Sequence, residues 1–200
     1  MKFYRLVFFI AVLFLFTGCG EDEEGEESEG SSSATTSSTR GWHFEGRDCL
    51  ACHNVDLGQD KHLSVAGTLF KSASVSDVDD LANSCNADIA IEFLDSSFNK
   101  VYSTADYYDA NSKGNKGQGN IFLLDRLFNA TLNGAYTVRI VDRLTGLSMA
   151  QSNANTHSFS GAEYSISSAE DFSNRLSCNA CHNGGTTSPL YVQSNSSLCK

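Results

Sequence analysis

Between residues 62 and 163 the sequence keeps returning to a period of two, and no other feature constrains the fold as strongly. In ADIAIEFLDSS, Ile89, Ile91 and Phe93 alternate with Ala90 and Glu92. In GAYTVRIVDRLTG, Tyr136, Val138 and Ile140 alternate with Thr137 and Arg139. Alternation sends successive side chains to opposite faces, which suits a strand with one face in a core. HLSVAGTLFKS, KVYSTADYY, NIFLLDRLF, LSMAQS and THSFSG continue the series, punctuated by Gly, Asn, Asp and Ser. Short strands with such punctuation predict a mainly β fold, an antiparallel sandwich over residues 62–165. About 100 residues suffice for one core. Helix is expected only in VDDLAN (residues 78–83) and in SSAEDFSNRL (residues 167–176), where Ser and Glu are placed to cap a short helix leading into the next segment.

The sandwich region is flanked by one spacing used twice: CLACH at residues 49–53 and CNACH at residues 178–182. Two thiols separated by two residues, with an imidazole directly after the second, are the signature of covalent c-type haem attachment. Cys49 and Cys52 would form thioethers to one porphyrin, and Cys178 and Cys181 to a second. His53 and His182 would be the proximal iron ligands. A four-thiolate zinc site is the main rival for two C-x2-C pairs. The pairs are far too distant for a zinc ribbon, and each is followed by a histidine that such a site does not need. A redox dithiol fits less well, since neither copy sits at an obvious strand-to-helix junction.

What faces the far side of each iron decides between electron transfer and ligand chemistry. Outside the motifs stand three histidines: His43, ten residues before His53; His62, nine residues after it at the head of a strand; and His157, 25 residues before His182. These are the candidate distal ligands. Met149 is the single internal methionine and reads as strand packing. Bis-histidine ligation at both haems is therefore expected, which closes the iron to small molecules and favours a low-potential electron carrier. No residue set for acid–base or nucleophilic catalysis is recognisable. GNKGQGN (residues 114–120) reads as a loop rather than a phosphate cradle, and SDVDD (residues 76–80) as a solvated turn rather than a calcium site.

The N-terminus carries Lys2 and Arg5 ahead of an apolar run over residues 6–16. That is the pattern of an export signal, residues 1–18, and it is short for a membrane span. The run ends in Phe16-Thr17-Gly18-Cys19, which resembles the lipobox of bacterial lipoproteins. The resemblance implies cleavage before Cys19 and a diacylglycerol on its thiol, although that family usually has Leu where Phe16 stands. Residues 19–41 are acidic and serine-rich, too polar to offset the entropy of ordering them, and read as a tether between lipid and folded domain. Residues 42–61 then hold the first haem segment, and residues 166–200 the second together with a C-terminal tail. The formal charge of −10 argues against nucleic acid, whose phosphates need clustered Lys and Arg.

Seven cysteines can all be assigned. Cys19 goes to lipid, four to two haems, and the remaining two, Cys85 and Cys199, to one disulfide.

GAYTVRIVDRLTG resembles a strand of the carboxypeptidase-regulatory-like and Ig-like sandwich family. The paired motifs, HFEGRDCLACH above all, resemble exported dihaem and multihaem cytochromes of bacteria that respire on extracellular acceptors. That resemblance implies electron transfer at or outside the outer membrane, on its periplasmic face or the cell surface. It also implies partners that are redox proteins or extracellular acceptors. Self-association into a haem-lined filament is a further expectation, with His43 or His157 ligating a haem in the next copy. Two other classes remain open: a haem-containing sensor or binding module that uses the sandwich to hold a partner, and a haem enzyme such as a peroxidase or reductase.

Overall fold

The structure, a computed structural model, describes residues 46–78, 80–107, 119–128, 130–185 and 187–200. The export signal, Cys19, the tether, His43 and most of GNKGQGN lie outside the described residues.

All seven expected strands form. β1 (Leu63–Thr68) pairs with β4 (Asn120–Leu124) in a two-stranded antiparallel sheet. β2 (Ile89–Leu94), β3 (Lys100–Ser103), β5 (Asn133–Asp142), β6 (Ser148–Gln151) and β7 (His157–Ser160) make a second antiparallel sheet. Its order is β3-β2-β5-β6, with β7 on the first half of β5. Among the described residues α-helix is confined to two short segments, α1 (Cys49–His53) and α2 (Cys178–Cys181). The protein is mainly β.

In β5 the predicted face does meet the core, although the opposite face is not simply exposed, since Thr137 is fully buried. Tyr136, Val138 and Ile140 pack into the core, while Arg139 on the other face meets Glu92, its direct partner on β2, at 2.6 Å. Opposed charges on paired strands stabilise the chosen register. Phe93, Phe159, Tyr102, Phe128 and Tyr136 meet edge to face with centroids 5.4–6.4 Å apart, the arrangement their quadrupoles favour.

Neither expected interior helix forms. Residues 167–176 hold the end of a 3-10 turn (Ile166–Ser168) and then successive turns, closed by Asp171 N–H to Ser168 O and Asn174 N–H to Asp171 O. Ser, Asp and Asn side chains compete for the backbone here, as Asp171 does by accepting from Ser173 N, and this favours turns over helix. Residues 78–83 likewise yield only the 3-10 turn Leu81–Asn83. Within SDVDD, Asp80 accepts from Ala82 N at 2.9 Å, as expected of a turn.

The disulfide Cys85–Cys199 is present, with Cα atoms 4.7 Å apart and 114 residues of separation. It is one of several attachments of the C-terminal tail, a segment whose sequence offers little sign of anchorage. Phe70 N–H donates to Leu190 O and Val192 N–H to Phe70 O, and the next residues run along β6, with Gln193 and Ser194 both donating to Met149 O. Replacing Cys85 and Cys199 together by alanine is expected to cost about 3–5 kcal/mol, the loop-closure entropy returned to the unfolded chain. Chemical denaturation reads this, and a loss below about 1 kcal/mol would mean that the backbone contacts alone secure the tail.

Candidate haem-binding site

Although 129 positions separate Asp48 from Ser177, Ser177 Oγ donates to Asp48 Oδ1 at 2.5 Å. Asp48 is the N-cap of α1 and accepts from Leu50 N at 3.2 Å and Ala51 N at 3.3 Å. Ser177 occupies the same place before α2. The residue preceding each motif is thus a helix-capping type, and the two caps are bonded to each other. The other carboxylate oxygen of Asp48 accepts from Tyr164 O–H at 2.6 Å. Burial first, and then this bond to a carboxylate, hold the Tyr164 phenol well above its ordinary range.

The two motifs use the residue after their first cysteine differently. Leu50 is fully buried in the core and anchors α1 there. Asn179, 2% exposed, instead bridges polar backbone: its Nδ2 donates to Arg47 O at 2.8 Å and its Oδ1 accepts from Thr68 N at 3.1 Å. Both helices consequently pack on β1. The chain entering α2 runs parallel to β1 through an Ala66–Ser177 bridge. The approach is so close that a Cβ on Gly67 would lie 2.5 Å from Cys178 Cβ, so only glycine fits at that point of β1. Sequence reading singled out neither Asp48, Ser177, Asn179, Tyr164 nor Gly67. The shared cap type before each motif was the available signal.

The two motif histidines are held alike. His53 Nδ1 contacts Lys61 O at 2.8 Å and His182 Nδ1 contacts Ser188 O at 2.9 Å. A carbonyl only accepts, so each Nδ1 carries the proton and the lone pair lies on Nε2. Metal-bound histidines are oriented in just this way by a backbone carbonyl behind the ring.

His182 opens onto a cavity of about 320 Å³, within the range of small-molecule and cofactor sites. Its floor is apolar, with Val65, Ile91, Phe93, Ile140 and Phe159. Around it stand Cys178, Cys181, His182 and His157. Phe172, 55% exposed, lines it as well. The His157 and His182 rings lie with centroids 6.4 Å apart and planes within 10° of parallel. That is too far for face-to-face contact. A metal–imidazole nitrogen bond is about 2.0–2.1 Å, and a ring nitrogen lies about 1.2 Å from its centroid, so two imidazoles on opposite sides of one metal have centroids about 6.5 Å apart. The centroid spacing of the pair is thus the one that two imidazoles on one haem iron would have. His157 is mostly buried, which with the nearby Arg175 guanidinium and His182 pushes its imidazole down to about 4. It is neutral at neutral pH, as a ligand must be. Among the described residues no group of three or more His, Cys, Asp or Glu converges on a point, but a haem iron takes four ligands from its porphyrin and needs only two from protein.

The thiols differ in state. Cys178 and Cys181 are thiols, and burial, followed by the neighbouring Cys49 and Cys181, pushes Cys178 up to about 12. Cys49 is also outside any disulfide, whereas Cys52 is disulfide-bonded. A disulfide and a thioether exclude one another at Cys52, so attachment there requires prior reduction.

His62 stands elsewhere. It follows Lys61, whose carbonyl supports His53 from behind, and its Nε2 contacts Leu57 O at 3.3 Å. It lines a separate cavity of about 490 Å³ with Asp125, Thr131 and Tyr164. The structure thus brings His157 to a motif histidine and sets His62 behind one.

The chain matches no family model, no curated protein and no solved structure. Among the described residues no helix is long and apolar enough to cross a membrane.

Proposed function

We propose that the protein is an exported, lipid-anchored dihaem c-type cytochrome that carries electrons at or outside the outer membrane. One observation carries this reading: the parallel His157–His182 pair, spaced for a single iron, in an apolar cavity that also holds the Cys178 and Cys181 thiols. Cys178 and Cys181 would form the thioethers to the haem, and His182 and His157 would be the two imidazoles that ligate its iron. Haem supplies an iron that takes up and releases one electron, and two imidazoles leave it no position for a substrate, which favours transfer over catalysis. Cys49, Cys52 and His53 hold the second haem once Cys52 is reduced, with His43 the remaining distal candidate beside His62. The Asp48–Ser177 bond sets the two attachment helices side by side, so an electron would pass between haems that are distant only in sequence.

The two sheets serve as the layers of a sandwich that scaffolds both sites. In support, Val65 and Leu123 of one sheet share a hydrophobic cluster with Ile91 and Phe93 of the other. A ligand given by one copy to the next, through His43, would extend the haems into a filament. The His157–His182 pairing within one chain argues against His157 as that donor.

The test is intact mass of protein exported from a host able to attach haem c. The expected mass exceeds the polypeptide from Cys19 onward by two haems and a diacylglyceryl group. A gain of one haem would restrict the function to one of the two motifs. Haem-free protein with stoichiometric zinc would overturn the reading.

A further inference from the structure

Three arginines of the described region are held by side-chain partners in different ways. Arg139 pairs with Glu92 and Arg143 with Asp88, each forming an ion pair. Arg175 pairs with no carboxylate among the described residues. It lines the same cavity as His157 and His182, and its Nε is buried without a hydrogen-bond partner. Its other contacts converge on one place. Arg175 Nη1 donates to Thr156 O at 2.7 Å and its backbone N–H to Ser158 O at 3.1 Å, gripping the chain on both sides of His157. The guanidinium is backed by the Phe172 ring, 4.6 Å from its centroid, a cation–π contact.

An uncompensated cation beside an iron disfavours the ferric form, which carries one more positive charge than the ferrous form. Arg175 is half-buried, so that repulsion is screened less than it would be between fully exposed charges. The carboxylates nearby offset it only in part. Asp48 stands between the two motifs, capping α1 and bonded to Ser177, so its charge acts at both, and Glu170 is exposed, where charge is well screened. At CLACH the nearest arginine in sequence, Arg47, is itself exposed to solvent, where charge is well screened.

We propose that Arg175 is a positioning residue that holds His157 in place and makes the CNACH haem the higher-potential centre of the two. This rests on the bis-histidine reading above. With both haems bound, the electron of the half-reduced protein would reside at CNACH, and the CLACH site would be the donor to it.

Spectroelectrochemical titration of the intact, haem-loaded protein tests this in wild type, Arg175→Gln and Arg175→Lys. Gln removes the charge, whereas Lys keeps it and loses the two-point grip. The expected result is two separate potentials in wild type, with the higher one falling in Arg175→Gln by about a tenfold change in equilibrium constant, ~59 mV for one electron. The lower potential stays fixed. Arg175→Lys shifts the same potential by less and keeps the low-spin spectrum. If Arg175→Gln does not load haem, a fall of the higher potential alone in Arg175→Lys still supports the assignment. Two attached haems whose potentials are unmoved in the variants, or move together, would overturn it. Absence of haem from wild type would instead count against the cytochrome reading itself.

Discussion

Replacing His157 with alanine is expected to leave the CNACH haem attached and to turn it into a carbon-monoxide-binding centre. The elements that would hold the porphyrin are untouched by the change: the Cys178 and Cys181 thiols, and His182 with its Nδ1 fixed by Ser188 O at 2.9 Å. What is lost is the ring lying 6.4 Å from His182, and with it the sixth ligand. The cavity floor is aliphatic and aromatic and offers no replacement base. Iron left five-coordinate binds small ligands, so the reduced variant should take up carbon monoxide where the wild type does not. The CLACH haem should be unaffected. The measurement is the reduced absorption spectrum with and without carbon monoxide. An unchanged low-spin spectrum would remove His157 from the ligand set. Reactivity already present in the wild type would instead favour a haem sensor or enzyme.

How much of this was legible beforehand depends on the range of the interaction. Strands are local: Ile89, Ile91 and Phe93 declare their shared face by spacing alone, and all seven strands formed where the alternation lay. The CxxCH spacing is local too. The capped helix expected over residues 167–176 failed because Ser165, Asp171 and Asn174 find backbone partners within turns, a competition that propensity alone does not settle. Long-range pairings were legible only where chemistry limited the choices. Cys85 and Cys199 were found because cysteines could be counted. His157 stood out because three histidines were all the chain offered beyond its motifs, yet spacing alone ranked it little above His62. What separated them is the turn at Lys61, which sets His62 behind His53, and the pairing of β7 with β5, which carries His157 to the CNACH cavity. Asp48 and Ser177 gave no such sign, because each reads as an ordinary cap until the fold lays one on the other.

That pair yields the second large expectation. Asp48→Ala should destabilise the folded protein by about 3–7 kcal/mol. Loss of an N-cap costs about 1 kcal/mol, and it falls here on α1, whose five residues have little helical stability of their own. The larger part comes from Ser177 Oγ and Tyr164 O–H, which donate to the two carboxylate oxygens at 2.5 and 2.6 Å. Each partly buried hydroxyl left without its acceptor costs about 1–3 kcal/mol. Asp48→Asn keeps one acceptor oxygen and should lose roughly half as much. The effect must also be shared between the motifs. Ser177→Ala alone costs about 1–2 kcal/mol, and in the double variant the losses should fall short of their sum by about 1–3 kcal/mol, the signature of two groups in direct contact. Denaturant unfolding of the four proteins closes the cycle. Additive losses would mean that the Asp48 and Ser177 side chains act independently. A coupling of the expected size would make one carboxylate the joint through which two attachment segments, far apart in the chain, are held in a fixed relation.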